Sequence, residues 1–278
     1  MWVVKASGET EKFDPRKIKR TCIKAGASDE LANEIVKKVK KKVYNGISTR
    51  DILRYTLKLL SKKKPIVAAR YDLKGAMFRL GPAGFVFEKL IGEVFKEYGY
   101  STKVHNLLRG RCVMHEVDVV ASKDKRNYMI ECKYHNMPGI YTTLKEALYT
   151  YARFLDLVDG SKSKKCVKFD QPWLICNTKF SCDAVQYASC RGMRLLGWSY
   201  PEGEGLERLI EDKRLYPITM IRSMDNLSLE RLSMSNLILA ADLVRIPIKE
   251  LNNITNISLK KLREFSEEAR RLTNGQYS

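Results

Sequence analysis

The 278-residue chain carries 51 lysine and arginine residues against 32 aspartate and glutamate residues, a formal net charge of +19. Its hydrophobic content of 44% and charged content of 30% are typical of folded domains and exclude a disordered or fibrous chain. The length predicts about two domains. The positive charge favours a polyanionic partner such as nucleic acid or nucleotide, although a generally basic, soluble surface is an alternative that composition leaves open.

No apolar run approaches the roughly 18 residues of a membrane span, and the N-terminal residues lack the apolar region of a signal peptide. We therefore expect a soluble, cytoplasmic protein without a membrane partner. The seven cysteines are odd in number and include no C-x-x-C pair, which argues against a disulfide framework and against a zinc site. We expect them to be reduced and mostly buried.

The charge is uneven along the chain, because residues 1–80 carry +13 of the net +19. Part of this excess is typical of a solvated helix face. The Gly/Pro-rich segment Leu80–Gly84 predicts a domain boundary, and a second boundary is expected near Asp212–Pro217. The predicted division is an N-terminal domain over 1–80, a central domain over 81–211 and a C-terminal domain over 212–278.

The N-terminal segment predicts a small hairpin followed by helices. Val3–Lys5 and Thr10–Phe13 are strand-like and are separated by Ser7-Gly8. Asp14-Pro15 then predicts a helix start, with the helix running to about Ala25. Residues 1–80 resemble the ATP-cone, a regulatory nucleotide-binding module, through V-V-K-x-x-G-x-x-E-x-F-D-x-x-K-I at 3–18, N-G-I-S-T-R-D-I at 45–52 and A-A-R-Y at 68–71.

This resemblance implies a set of contacts to ATP or dATP: Val3, Lys5, Glu11, Asp14, Lys17 and Thr49. Lys5 and Lys17 would neutralise phosphates as point charges. Where the family usually has a basic residue and then Asp, this chain has Ala6-Ser7, which weakens the expected triphosphate binding. The alternative is a cone that binds no nucleotide and serves as a helical dimerisation or DNA-contact module.

The central segment predicts a helix and a β-hairpin. Apolar residues recur at helical spacing over Gly84–Tyr98, and the segments Arg111–Val120 and Tyr128–Tyr134 are strand-like. If the turn centres on Asp124-Lys125, paired residue numbers sum to about 249. Asp118 then lies opposite Glu131, and Glu116 lies opposite Lys133.

Two carboxylates opposed on a sheet destabilise each other by up to about 1 kcal/mol unless a cation lies between them. Carboxylates, water and a carbonyl oxygen suit Mg²⁺. The pattern therefore indicates a divalent-metal site at Asp118 and Glu131. A solvated hairpin with an ordinary ion pair is the alternative.

Residues 81–211 resemble the restriction-endonuclease-like nucleases, in particular the Mrr-like branch. The resemblance depends on G-F-V-F-E at 84–88, H-E-V-D-V-V-A at 115–121 and I-E-C-K at 130–133, followed by a predicted helix, strand, helix and strand. It implies that Asp118 and Glu131 hold Mg²⁺ or Mn²⁺, with the Cys132 carbonyl as a further ligand. Lys133 would orient the attacking water or stabilise the developing oxyanion, and Glu88 would be a supporting ligand or orienting group.

Other polar residues near these motifs are weaker candidates. His115 and His135 flank them and either contact phosphate or are satisfied within the protein. Thr178 and Lys179 follow a predicted strand and either contact DNA backbone or are ordinary loop residues.

The C-terminal segment is helical by its periodicity, and Ser258 is expected to cap the last helix, near the basic Lys260 and Lys261. Two short helices around Thr255-Asn256-Ile257 resemble a helix-hairpin-helix, in which turn amides contact DNA phosphate. The usual turn glycine is absent, although Asn256 can adopt the left-handed conformation. A packing or dimerisation module is the alternative.

Together these patterns predict a mixed α/β fold: a helical ATP-cone with a small hairpin, a central mixed sheet flanked by helices, and a small helical C-terminal module. The expected function is a metal-dependent DNA endonuclease, a homodimer whose activity ATP or dATP regulates. No G-x-x-x-x-G-K-[ST] motif occurs, so the nucleotide is expected to act as an effector without hydrolysis. The alternative is a non-catalytic, nucleotide-responsive DNA-binding protein on a nuclease-like scaffold.

Overall fold

The computed structural model describes residues 1–81 and 84–274, and the chain divides into two compact units. One unit combines Met1–Met77 with the C-terminal segment from Tyr216, and the other is Phe78–Leu215. The first and third predicted segments therefore share a unit, and the three-domain division remains a prediction. Pro82 and Ala83 of the predicted boundary lie outside the described residues.

The N-terminal part of the first unit begins with a small sheet. Its strands are β1 (Trp2–Val4), β2 (Thr10–Lys12) and β3 (Ile47–Ser48), with β1 antiparallel to β2 and parallel to β3. The helices are α1 (Pro15–Lys24), α2 (Asp29–Lys40), α3 (Thr49–Lys63), α4 (Pro65–Tyr71) and α5 (Leu73–Phe78). The Asp14 side chain accepts the Arg16 amide at 2.9 Å ahead of Pro15, so α1 starts where the sequence predicts.

The second unit contains a five-stranded mixed sheet in the order β10-β8-β6-β5-β4. The strands are β4 (Ser101–Arg109), β5 (Met114–Lys123), β6 (Arg126–Lys133), β8 (Gln171–Cys176) and β10 (Arg194–Leu196). Strands β4, β5 and β6 are antiparallel neighbours, whereas β6, β8 and β10 are parallel. A separate parallel pair joins β7 (Tyr141–Thr142) to β9 (Lys179–Phe180). The helices are α6 (Phe85–Glu97), α7 (Leu144–Lys162), α8 (Cys182–Arg191) and α9 (Leu206–Lys213).

The hairpin between β5 and β6 has the predicted register. Asp124 and Lys125 form its turn with φ angles of 51° and 61°, and paired residues sum to 249 from Lys123↔Arg126 to Val119↔Ile130. The pairing ends there, because the Cys132 amide donates to the Asp118 side chain at 2.7 Å instead of to a backbone carbonyl. Continuing the sum of 249 would place Asp118 opposite Glu131 and Glu116 opposite Lys133, but neither pair belongs to the backbone ladder. On the other edge of β5, Glu116 pairs with Leu107 of β4.

The C-terminal segment forms a 3-10 turn (Ile218–Met220) and the helices α10 (Asn226–Met234), α11 (Asp242–Arg245), α12 (Ile248–Thr255) and α13 (Leu259–Asn274). Asn256 joins the last two helices in the left-handed conformation, with φ of 53°, as predicted. Helix α13 has 16 residues, so the second helix is longer than expected. Arg70 donates to the Leu272 carbonyl at 2.6 Å, which ties α13 to the N-terminal helices.

The observed fold is mixed α/β, as predicted. No helix in the described part of the chain is both long and apolar enough to span a membrane. All seven cysteines are free, but only Cys22 and Cys176 are buried, so the expectation of mostly buried thiols is wrong. On α8 the core contact is made by Ala184 and Ala188, which leaves the helix's two cysteines exposed.

Candidate active site

Three half-buried carboxylates come from three elements of the second unit. Glu88 lies in the first turn of α6, Asp118 on β5 and Glu131 on β6. The Glu88 and Glu131 side chains are only 17% and 20% exposed. Helix α6 is fixed against β4 and β5 by its buried apolar face, Val86, Phe87, Leu90, Ile91, Val94 and Phe95. The sequence thus brings the predicted acidic residues together by packing one amphipathic helix on one hairpin.

Glu88 is held by a histidine that the sequence did not suggest. Its Oε2 lies 3.1 Å from Nδ1 of His105, a residue of β4. Its other oxygen folds back over Gly84, where a Cβ atom would lie 3.4 Å from Oε1. This oxygen is therefore at van der Waals distance from the position of a Cβ atom at Gly84.

Glu131 is paired with an arginine from α7. Arg153 Nη1 donates to Glu131 Oε2 and, at 2.7 Å, to the backbone carbonyl of Glu116. Arg153 Nη2 donates to the Tyr149 hydroxyl at 3.0 Å, and the guanidinium lies over that ring at 4.8 Å from its centroid. The guanidinium of Arg153 is thus oriented by a carboxylate, a backbone carbonyl and a tyrosine side chain.

Burial raises the pKa of Glu131 to about 7, and the negative charges of Asp118 and Glu88 add to this, while Arg153 and Lys133 oppose it. Burial likewise raises the pKa of Glu88 to about 7, with Asp118 and Glu116 contributing repulsion. Burial also raises the pKa of Asp118, against the opposing effects of the Cys132 amide and Arg153. The carboxylates therefore repel one another in a partly desolvated space, which favours binding of a cation.

Lys133, at the end of β6, is exposed and opens onto a pocket of about 330 Å³. The pocket is lined by Glu131, Lys133, Lys145, Glu146, Tyr149, Thr150 and Leu174. The two lysines and two glutamates of this lining place ammonium groups that can attract an anionic substrate next to carboxylates that can attract a cation. The arrangement suits chemistry at a phosphate ester.

The donor chemistry fits a hard divalent cation. Mg²⁺ is commonly held by one or two carboxylates together with waters and substrate phosphate. Asp118 and Glu131 supply such oxygens, and the mutual repulsion that raises the carboxylate pKa values is what a cation would relieve. Within the described ranges, no three His, Cys, Asp or Glu side chains are arranged as a metal-binding group. Any ion here would therefore need waters or substrate to complete its shell.

Comparison with known proteins gives two family matches and two relatives. Residues 1–73 match the family described as ATP cone domain, and residues 83–198 match the family described as restriction endonuclease. An uncharacterized protein of Archaeoglobus fulgidus is 46% identical over 182 residues, which is 66% of this chain and 99% of that protein. The chain therefore carries an N-terminal ATP cone domain followed by a domain of the Mrr-like restriction endonuclease family.

A solved structure is similar to this chain. The crystal structure of a protein of unknown function has a TM-score of 0.62 and 44% sequence identity to this chain. The match covers 70% of this chain and 100% of that chain. Neither relative's name states an activity.

In the ATP cone, the two lysines predicted to bind phosphate share one acidic partner. Glu11 Oε2 lies 3.7 Å from Lys5 Nζ and 2.8 Å from Lys17 Nζ. The hydrogen bond from Lys17 and the charge of Lys5 lower the Glu11 pKa against the effect of burial. The structure thus brings Lys5, Glu11 and Lys17 together on one surface of the cone.

The other predicted nucleotide contacts have structural roles in the cone. Asp14 caps α1 and also pairs with the Arg16 side chain at 3.0 Å. Thr49 is the first residue of α3, after the capping Ser48. The Val3 side chain is 2% exposed and lies in the core of the cone. Their contacts with nucleotide remain predictions.

The predicted DNA contacts differ in accessibility. Lys179 on β9 and Lys260 on α13 are exposed, whereas Thr178 is only 4% exposed. Lys261 is paired with Asp225 at 2.8 Å. The burial of Thr178 leaves Lys179 as the accessible residue of that predicted pair.

The two histidines that flank the motifs are both satisfied within the protein. His115 Nε2 lies 2.8 Å from Asp156 Oδ2, and His135 Nε2 lies 2.9 Å from Thr142 Oγ1. The buried Asn177 also binds the His135 backbone on both sides, accepting its amide at 2.9 Å and donating to its carbonyl at 2.7 Å. These contacts favour a structural role for both histidines.

Proposed function

We propose that this protein is a divalent-metal-dependent endonuclease that hydrolyses phosphodiester bonds of DNA. The observation that carries the proposal is the group of half-buried carboxylates, Glu88, Asp118 and Glu131, with Lys133 on the adjoining pocket. Burying carboxylates that repel one another is unfavourable, and a bound cation would offset that cost. Such clusters are therefore common at functional sites.

Asp118 and Glu131, with the carbonyl of Cys132, would hold Mg²⁺ or Mn²⁺. When bound, such a cation activates water at neutral pH and offsets charge on the phosphate. The Lys133 ammonium would orient the attacking water or stabilise the oxyanion that forms, and Glu88 would orient groups from the opposite side. Exposed Lys179 would contact the DNA backbone without reading sequence.

The ATP cone would add regulation to this activity. Lys5, Lys17 and Thr49 would bind ATP or dATP, which shifts a conformational or dimerisation equilibrium of the protein. Because the chain contains no Walker-type motif, the nucleotide would be an effector that is not hydrolysed.

A nicking assay tests the catalytic proposal. Purified protein is incubated with supercoiled plasmid and Mg²⁺ or Mn²⁺, with and without ATP or dATP, and Asp118→Ala is compared with the wild type. Glu93→Gln is the control, since Glu93 also lies on α6 but is paired with Lys96 and its side chain is 37% exposed. Nicking by wild type and Glu93→Gln but not by Asp118→Ala is expected. DNA binding without nicking under every condition would instead identify a non-catalytic, nucleotide-responsive DNA-binding protein.

A further inference from the structure

His105 has an unusual backbone conformation for a residue inside a strand. Its φ angle is 54°, in the left-handed region that is unfavourable for residues with a Cβ atom. Among the described residues, the other six non-glycine residues with positive φ lie in turns or at helix ends. Such strain persists only where the surrounding structure supports it, and it is common at functional sites.

The left-handed conformation changes the direction of the His105 ring. Thr102 and Val104 face α6, because a Cβ atom at Gly92 would lie 2.9 Å from Val104 Cγ1 and 3.9 Å from Thr102 Oγ1. Successive side chains of a regular strand point to opposite faces, so His105 would then point away from α6. Instead, its Nδ1 lies 3.1 Å from Glu88 Oε2, on α6.

The neighbouring residues support this local distortion. Strands β4 and β5 keep the same register on both sides of it, at Val104↔Val119 and Asn106↔Val117. The Asn106 side-chain amide donates to the Lys103 carbonyl at 2.8 Å and approaches the Val117 carbonyl at 3.4 Å. The side chain of Asn106 thus bonds to a backbone carbonyl of its own strand and approaches one of the neighbouring strand beside the distortion.

We propose that His105 is a positioning residue of the carboxylate site, whose strained conformation serves to orient the Glu88 side chain. The inference rests on the proposed function. With Glu88 ionised, Nδ1 donates to Oε2 and fixes the carboxylate near Asp118. If the contact with Glu88 had no role, regular strand geometry at position 105 would be more favourable than the strained conformation.

The substitution His105→Gly tests the proposal, because glycine adopts this φ without a steric penalty but provides no ring. We expect an unchanged or higher melting temperature without metal, a kcat for plasmid cleavage lowered about ten-fold or more, and a nearly unchanged KM. His105→Asn, which tolerates the conformation and keeps an N–H donor, should restore part of the rate. Asp124→Gly is the matched control, since Asp124 has a φ of 51° in the hairpin turn.

A double variant shows whether His105 acts through Glu88. In the background of Glu88→Gln, His105→Gly should cause no further loss of kcat. Equal losses in both backgrounds, an unchanged kcat, or a lower melting temperature at unchanged kcat would each overturn the inference. A wild-type protein that does not cut refutes the proposed function and the inference with it, whereas a His105→Gly variant that cuts with the wild-type kcat refutes only the inference.

A second surface, on the other unit, has a high density of positive charge. The lysine face consists of the exposed ends of α2 and α3 and the residues after them: Lys37, Lys38, Lys40, Lys41, Lys42, Lys62, Lys63 and Lys64. The two runs meet at Glu34, which lies 2.7 Å from Lys38 Nζ and 3.4 Å from Lys63 Nζ. Glu34 is the only acidic partner of either run within residues 1–81 and 84–274.

The charge near this face is increased by the C-terminal segment. Arg222 Nη1 donates to Ser61 Oγ at 2.8 Å, next to the second lysine run. A lysine run on one helix is usually a solvated face. Here two runs that are distant in sequence converge around a single carboxylate, and the repulsion among them would be relieved by an array of phosphates.

We infer that the lysine face binds the sugar–phosphate backbone of the DNA on which the nuclease site is proposed to act. The inference rests on the proposed function for the identity of the polyanion. Lysine ammonium groups contact phosphate as point charges, so this binding would be independent of sequence and strongly dependent on salt.

Fluorescence anisotropy with a short labelled duplex, in EDTA and over a range of salt concentrations, tests this face in the full chain. Substituting Lys40, Lys41 and Lys42 with Gln should weaken binding and reduce the slope of log Kd against log salt by about three. The control replaces the exposed Lys12, Lys164 and Lys249 with Gln and should leave the slope unchanged.

A slope equal to that of wild type and control would overturn the inference. It is also overturned if the variant keeps its DNA affinity but no longer binds vesicles containing phosphatidylserine, because the face would then recognise lipid. Since binding is measured without metal, the result can be interpreted even for a protein that does not cut DNA.

Discussion

Arg153 and Glu131 form a half-buried ion pair in the carboxylate site, although they are 22 residues apart in the sequence. The Arg153 and Glu131 side chains are 11% and 20% exposed. The Arg153 nitrogen that meets the carboxylate also donates to the Glu116 carbonyl at 2.7 Å, so the guanidinium is fixed by backbone as well as by charge. Arg153 therefore compensates part of the negative charge of the site in the absence of a cation.

Removing this compensation should destabilise the protein. Arg153→Gln leaves Glu131 half-buried without its partner, and we expect the free energy of unfolding at pH 8 to fall by about 3 kcal/mol. Urea unfolding without metal measures the change. The double substitution Arg153→Gln with Glu131→Gln should recover much of the loss, because the unpaired charge is then absent.

The control for this prediction is an exposed ion pair. Arg208 lies 2.8 Å from Asp212, and both side chains are largely in solvent. Arg208→Gln should therefore cost less than about 1 kcal/mol. Equal losses for the two arginine variants would show that burial of the Arg153 pair does not matter.

The raised carboxyl pKa values predict a dependence of stability on pH. Glu88 and Glu131 have pKa values of about 7 in the folded protein against the ordinary value of 4.5. Between these values the folded state binds more protons than the unfolded state, so both residues reduce stability as pH rises from about 5 to 7. A bound divalent cation should reverse this loss at pH 8, because it compensates the ionised carboxylates.

Difference measurements isolate this effect from other titrating groups. Glu88→Gln and Glu131→Gln should each become more stable relative to wild type as pH rises through this range, by roughly 1–3 kcal/mol. Glu93→Gln, on the exposed face of α6, should follow the wild-type profile. Parallel profiles for wild type and all three variants would mean that neither buried carboxyl has a raised pKa.

Glu131 should be required for cleavage but not for DNA binding. Glu131→Gln removes one oxygen ligand charge, and we expect no detectable nicking at neutral pH together with an intact or improved DNA affinity. Removing a negative charge near phosphate does not weaken attraction for DNA. Plasmid nicking and anisotropy measure the two quantities, and circular dichroism checks the fold. A folded variant that cuts at the wild-type rate would remove Glu131 from the mechanism.

Much of the site was predictable from local sequence because the hairpin depends on local rules. A polar turn at Asp124-Lys125 and alternating apolar residues set the register. Continued one step past Val119↔Ile130, that register predicts Asp118 and Glu131 at the same end of the hairpin. It could not reveal that the Cys132 amide would bind the Asp118 side chain and end the pairing.

The parts that were missed depend on contacts between distant segments. Strand β4 was not predicted, since Ser101–Arg109 has few apolar residues and lies at the edge of the sheet. His105 was therefore not expected near Glu88. Arg153 on an amphipathic helix has the pattern of a solvated residue, and only the packing of α7 brings it to Glu131. In the sequence, the signal for a role of this segment was the presence of His105 between the carboxylate motifs at Glu88 and Asp118.

The last prediction concerns the nucleotide site of the ATP cone. Lys5 and Lys17 both contact Glu11, at 3.7 and 2.8 Å, so their charges lie together on one surface. Calorimetry should detect binding of ATP or dATP to the wild type, and the double substitution Lys5→Ala with Lys17→Ala should abolish it because two phosphate partners are lost. Lys12→Ala is the control, since Lys12 is exposed on β2 and belongs to neither contact.

Regulation by the cone requires that nucleotide and DNA affect each other's affinity. If nucleotide shifts the protein between two states with a coupling of about 1–3 kcal/mol, DNA must change nucleotide affinity by the same factor. Titrating nucleotide with and without a duplex, in EDTA, measures this factor, and analytical ultracentrifugation measures any change in dimerisation. Absence of binding at millimolar nucleotide would indicate a cone that has lost its ligand, with Ala6 as the first residue to restore to a basic one. Nucleotide binding that changes neither DNA affinity, assembly nor cleavage would reject regulation while retaining the pocket.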